Sequence, residues 1–305
     1  NLNNLRPFKQ MAQGDQSTEL NMALSIGTNN SALQAAAAAS SVNRNMETSM
    51  ERLSTGKRIN SASDDAAGVA ISSRLSSELR GTNQSVRNAL DAQALIDTAE
   101  GAHKEVENIL QRMRELAIQA ANGTNDADDI TNLEAEFTAL STEITRIGEV
   151  TSFAGKALTG TDATAFSFQV GSGTATANQI SVTINSIKSA SIGTDSGTQL
   201  SAVVTAGLDD LTETNAAIVV IDDAIKEVNT QRSELGAVSN RLNHTVNNLT
   251  NISSNLSSAQ GRIQDADFAL KTTELAKNQI LQQASTAMLA QANASKQNVL
   301  GLLQS

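Results

Sequence analysis

The residues that could do chemistry are few. Two histidines, His103 and His244, stand 141 positions apart, in the stretches HKEVE and HTVNN. A zinc hydrolase needs two imidazoles one helical turn apart with a general-base glutamate between them, and neither stretch has that HExxH form. There is no Cys and no Gly-rich phosphate loop, so nucleophilic, zinc and nucleotide chemistry all lack their equipment. The sequence therefore reads as a non-enzyme with no catalytic, metal or cofactor-binding residues. The stretch SASDDAAG sets Asp64 and Asp65 beside Ser61 and Ser63, which could suggest a metal cluster. Adjacent carboxylates do not converge on one helix face, however, and Asp ahead of Ala-Ala-Gly is better placed to open a helix, where its charge meets the dipole. Asn-x-Ser/Thr matches, among them Asn83, Asn122, Asn243, Asn248 and Asn255, are expected to carry no glycan.

Composition narrows the class further. The 305 residues are 39% apolar and 18% charged, which is enough to build a core. The net charge of -10 excludes a nucleic-acid binder, because such a protein needs surplus Lys and Arg to displace counterions. That charge is localised: residues 89–150 carry 13 Asp and Glu against 4 Lys and Arg. No stretch approaches the roughly 18 apolar residues of a membrane span, and residues 1–22 lack the apolar core of a secretory signal.

The elements that must carry these residues are mostly helices. Ile221, Val228, Leu235, Leu242, Leu249, Leu256 and Ile263 recur every seven positions, a d-type stripe whose companion a-type positions turn polar. This predicts a helix over about 208–263, roughly 80 Å long at about 1.5 Å per residue. A second long helix, about 66–122, carries Leu75, Leu79, Val86, Ala89, Ile96, Val106, Leu110, Met113, Ala117 and Ala120. A third, about 127–148, is capped by Asp126 and striped by Ile130, Leu133, Phe137, Leu140, Ile144 and Ile147. Between 164 and 186 the period becomes two, with Phe166, Phe168 and Val170 answered by Ile180, Val182 and Ile184, which predicts a β-hairpin. Residues 185–206 are small and polar and are expected to form a surface loop or a site that tolerates insertion. Two terminal amphipathic segments complete the chain, one with Val42, Met46, Met50 and Leu53 on a stripe, the other with Leu281, Ala284, Met288, Ala292, Ser295, Val299 and Leu302.

Four stretches closely resemble bacterial flagellin: ERLSTGKRINSASDDAAGVAISSRL (51–75), LQRMRELAIQAANGTN (110–125), FQVG (168–171) and ASTAMLAQANASKQNVLGLL (284–303). They lie in the family's order and roughly at its spacing, and the resemblance covers nearly everything from Met22 to Ser305. It implies a mainly α fold: a long-helix coiled-coil bundle with a small β-hairpin and paired N- and C-terminal helices. Residues 23–62 and 264–305 would form the two parts of an inner coiled-coil domain, and 63–263 a rod. Residues 1–22 have no counterpart and read either as sequence upstream of the usual start at Met22 or as an extra lumen-facing or surface-binding arm. Outer variable domains are missing, since only 185–206 could hold them.

The same resemblance implies an exported, extracellular subunit that polymerises with itself into the filament for swimming. Its partners would be the flagellar export apparatus, a flagellin chaperone, and the cap and junction proteins. Inner packing is expected from Val42, Met46, Met50, Leu281, Met288, Val299, Leu302 and Leu303, and rod packing from Leu75, Leu110, Met113, Leu235, Leu242, Leu249 and Leu256. The spoke between inner helices and rod would use Arg52, Lys57, Arg58, Asp64 and Asp65. Arg112, Leu116 and Glu136 match the positions at which flagellins engage the Toll-like flagellin receptor of animals. Two other readings stand beside this one: a hook-filament junction protein, and a cell-surface homologue acting as an adhesin or polysaccharide binder.

Overall fold

The structure is a computed structural model. It describes residues 28–160 and 164–304, leaving the side chains of Ser196 and of residues 296–304 undescribed. The extension 1–22 and the side chains of Val299, Leu302 and Leu303 lie outside the described residues. Among the described residues there are six α-helices: α1 (Asn30–Thr55), α2 (Ala66–Ala120), α3 (Ala127–Val150), α4 (Leu200–Ala206), α5 (Leu211–Gln264) and α6 (Phe268–Gln304). Four short strands pair as β1 (Ser152–Phe153) with β2 (Lys156–Ala157) and β3 (Thr164–Gln169) with β4 (Gln179–Ile184), both antiparallel. By internal packing the chain divides into two compact units, one of residues up to Ala70 with Arg262 onward, the other Ile71–Gly261.

Within Ile71–Gly261, α2 and α5 run antiparallel over most of their length. Arg114 bonds Asp222, Gln93 bonds Asn243 and Asn83 accepts from Ser253, a constant register along the pair. Along α2 a seam of buried positions runs through Thr82, Ser85, Ala89, Ala92, Ile96, Ala99, His103, Val106, Leu110, Met113, Ala117 and Ala120, alternating in threes and fours, with Leu95 and Leu116 buried beside it. That is the spacing of a coiled-coil seam. Opposite it, Ile221, Val228, Leu235 and Leu242 are buried to within 1% and Leu249 to 8%, so the sevenfold stripe of α5 is the core stripe. α3 starts on a reciprocal cap between Asp126 and Asp129 and lays Phe137 and Ile144 onto the same core. The hairpin aligns Phe166 with Val182 and Phe168 with Ile180. Val170, Ile180, Val182 and Ile184 are buried against Ala89–Ala99, Leu235 and Leu242.

Residues 185–206 differ from the surface loop expected of them. Ile187, Ile192, Leu200 and Val203 are buried in the α2–α3–α5 core, and the segment ends in α4. Gly193 makes this return feasible: its φ is +83°, and an added Cβ would lie 2.8 Å from Val220 Cγ1. The four apolar side chains have no common period, so the sequence pattern conceals them among Ser, Thr and Gly.

Candidate interaction surfaces

Among the described residues no group of three or more His, Cys, Asp or Glu could hold a metal ion, and no helix is long and apolar enough to cross a membrane. The features that remain are surfaces and joints.

The first joint lies where α1 ends and α2 begins. Gly56 closes α1 in the left-handed region, φ +69°, as glycine does without steric cost. The chain then pairs with the segment after α5: Lys57 bridges Asp265, Arg58 N–H donates to Gln264 O at 2.7 Å, and Ala266 N–H donates to Gly56 O at 2.9 Å. Asp64 folds its carboxylate back to accept Ser61 N–H (2.9 Å) and Asn60 N–H (3.0 Å), with Arg52 3.5 Å away. Those donated bonds, Ser61's first, hold the Asp64 carboxyl below its ordinary pKa. Asp65 accepts Gly68 N–H at 2.8 Å, satisfying an orphan donor of α2's first turn, and faces Arg58 at 3.8 Å. The five residues Arg52, Lys57, Arg58, Asp64 and Asp65 therefore occupy one joint within the chain. Gly68 is fixed there by space: a Cβ would fall 2.5 Å from both Ile59 Cδ1 and Asp65 Oδ2.

The terminal helices α1 and α6 pair antiparallel, Gln282 donating to Asn43 at 3.0 Å and Asn29 to the Ala292 carbonyl at 3.1 Å. The covered side of α1 is Ala32, Ala35, Ala39, Val42, Met46, Ser49 and Leu53, a three-and-four seam. The covered side of α6 is Leu275, Asn278, Gln282, Ser285, Leu289 and Ala292, which is largely polar or small. Val42 and Met46 are thus partly covered within the pair. Met50, Leu281 and Met288 are 53%, 40% and 65% exposed, and Leu33, Phe268, Leu270 and Ile280 are exposed as well. The apolar stripe read on α6 through Leu281 and Met288 does not face α1.

On the α2–α3 face, Arg112 donates to Glu136 at 2.9 Å and to Glu115 at 3.1 Å, and both carboxylates push its pKa up, Glu136 foremost. Arg112 and Glu136 are exposed together. Leu116 departs from them and corrects the expectation that it forms part of this surface. It is 1% exposed and belongs to the core with Met113 and Ala117. Four residues on from Arg112, it projects about 40° round the helix, far enough to pass from surface to interior in a three-helix packing.

One polar layer went unread in the sequence. His103 is fully buried on the α2 seam, its Nδ1 2.7 Å from Ala99 O. A carbonyl only accepts, so Nδ1 carries the proton and the neutral ring leaves Nε2 bare, without a partner among the described residues. Burial pushes its pKa down against the pull of the Ala99 carbonyl, and Arg232 pushes the same way as burial. Arg232, at an a-type position of α5, is ion-paired with Glu107 and lies 3.7 Å from Glu100. The signal available was a histidine in register with Ala99 and Val106.

Comparison with known proteins gives a consistent picture. The family described as the bacterial flagellin N-terminal helical region matches residues 26–163, and the bacterial flagellin C-terminal helical region matches 218–303. A flagellin of Bacillus subtilis (strain 168) is 42% identical over 304 residues, covering 92% of this chain and 99% of that protein. A flagellin of Halalkalibacterium halodurans is 44% identical over 255 residues, covering 84% and 90% respectively. Among solved structures, a putative flagellar hook-associated protein from Vibrio parahaemolyticus superposes with a TM-score of 0.57 at 17% identity, covering 66% of this chain and all of that one, a likeness of fold.

Proposed function

The chain belongs to the bacterial flagellin family and is a structural subunit of the extracellular flagellar filament, and we propose that its terminal helix pair supplies the contact between copies. The observation that carries this reading is the mismatch on α6: the side turned to α1 is polar or small, while Leu281 and Met288 stay exposed. A helix pair with so poor an internal seam leaves its apolar side chains for another chain to cover. Covering Met50, Leu281 and Met288 is worth at most about 1.5–3 kcal/mol each, before the cost of association. Val42 and Met46 hold the pair itself, and Val299, Leu302 and Leu303 extend the apolar supply beyond the described side chains.

The route of the subunit is part of the same proposal. It passes through the flagellar export apparatus with a flagellin chaperone, and joins the filament between junction and cap proteins. A chain without cysteine can thread and refold without disulfides. Arg112 and Glu136, exposed and paired, remain as the surface offered to the Toll-like receptor of a host. No observation favours a junction-protein or adhesin role over the filament.

Electron microscopy of the purified full chain, cooled onto filament seeds beside a version stopped after Leu270, tests the contact. Growth by the full chain alone supports it. Growth by the shortened chain at the same rate removes α6 from the contact.

A further inference from the structure

The same exposed side chains carry a chemical liability. Of the methionines whose side chains are described, Met113 is fully buried in the α2 seam and Met46 is partly covered by α6. Met50 and Met288 stand out at 53% and 65% exposure, both on the terminal helix pair. Each lies beside the seam, Met50 next to Ser49 and Met288 next to Leu289, and Met288 follows Leu281 by one heptad on the same face of α6. An unbranched thioether adapts to an irregular partner surface, which suits a contact made only on assembly. Until that contact forms, access governs oxidation, and these two sulfurs are accessible.

We propose that Met50 and Met288 are oxidation sites that gate assembly: a peroxide converts them to sulfoxides in the free subunit and so blocks its entry into the filament. The inference rests on the assembly contact proposed above. In the step, a sulfur lone pair attacks one oxygen of hydrogen peroxide, the O–O bond breaks, an S–O bond forms and water leaves. Sulfur is oxidised by two electrons and the peroxide is reduced by two. The new oxygen is a strong acceptor placed where an apolar contact offers no donor, so the contact is weakened without any change in the rod. Methionine sulfoxide is reducible, which makes the block reversible.

The test uses the full chain as monomer, treated with hydrogen peroxide, freed of it, and added to seeds, with oxidised residues located by peptide mass mapping. Sulfoxide is expected at Met50 and Met288 before Met113, and elongation is expected to slow on the order of tenfold. Peptide-methionine sulfoxide reductases of both stereospecificities are expected to restore it. A Met50→Leu/Met288→Leu chain keeps apolar volume without sulfur, and its elongation after the same treatment is expected to match its own untreated rate. Parent chains that carry both sulfoxides yet elongate at the untreated rate overturn the proposal. So does equal loss in the double variant, which would place the lesion at a methionine other than these two. Peroxide applied to finished filaments separates the two readings. If Met50 and Met288 oxidise there as fast as in monomer, the assembly contact itself is wrong; if they are protected while oxidised monomer still grows, only the oxidation gate fails.

Discussion

Arg58 donates from Nη2 to the Ile263 carbonyl at 2.8 Å, across 205 positions of chain. The acceptor is one of the orphan carbonyls of the last turn of α5, where a cation also meets the negative end of the helix dipole. The same guanidinium lies 3.8 Å from Asp65, the residue that caps α2. One planar, forked side chain thus ties the end of one long helix to the start of another, which a lysine's point charge cannot do in both directions.

Arg58→Lys is therefore expected to behave like Arg58→Ala rather than like the parent. The side chain is 47% exposed, so the loss is no more than about 1 kcal/mol. Amide hydrogen exchange should show it locally, as faster exchange at Arg58, Gly68 and Ala266 with the exchange of residues 89–120 unchanged.

Gly68→Ala is expected to damage the same joint more severely. Its methyl group must displace Ile59, which is 3% exposed, or push the capping Asp65 carboxylate off the helix start. A cost of about 1–3 kcal/mol follows from overpacking and cap loss together. Chemical denaturation followed on the joint should report it, and Gly101→Ala, where a Cβ meets open space, is the matched control on α2.

The depressed pKa of His103 gives the α2–α5 pair a pH dependence of definite sign. The unfolded state binds the proton first, so the stability that neutral His103 contributes is complete above the ordinary histidine pKa. It is lost as pH falls below that value towards the lower folded one. The melting temperature of the parent should fall through this window, and His103→Gln, whose amide can still donate to Ala99 O, should fall less. Equal slopes for the two would remove His103 from the account.

Much of this fold is legible in the sequence because long helices repeat their rule many times. Seven apolar residues at an interval of seven identify α5, and Asp126 announces α3 by its own cap. What escaped does so for physical reasons. Ile187, Ile192, Leu200 and Val203 enter the core from an irregular segment, whose apolar side chains obey no period. His103 and Arg232 form a polar layer in a seam, which a search for apolar stripes passes over. Resemblance of motif puts Leu116 on the surface with Arg112, whereas its own position one turn beyond Arg112 turns it inward. The polar side that α6 presents to α1 was hidden for the opposite reason, because the more apolar stripe next to it drew the reading.

Between α2 and α5, Leu235→Ala is expected to cost about 2–5 kcal/mol, since the residue is fully buried and the two long helices leave little room for collapse. Leu256→Ala, on the same stripe where it is only partly covered, should cost distinctly less. Thermal melts of the two single variants check the gradient along α5.

For the proposed receptor surface, Arg112→Ala is expected to lower the response of a Toll-like flagellin receptor reporter while leaving the melting temperature near that of the parent. Leu116→Ala should do the reverse in kind, lowering the melting temperature through a core cavity. A reporter that does not respond to the parent chain at all excludes this surface.

The central claim is that the exposed apolar side of the terminal helix pair becomes buried between copies. A chain without cysteine allows the direct measurement, because a Met288→Cys variant carries a single thiol. Its rate of maleimide labelling should be high in monomer, where the position is 65% exposed, and should fall on the order of tenfold or more in seeded filaments. Equal labelling rates in monomer and filament would contradict the claim.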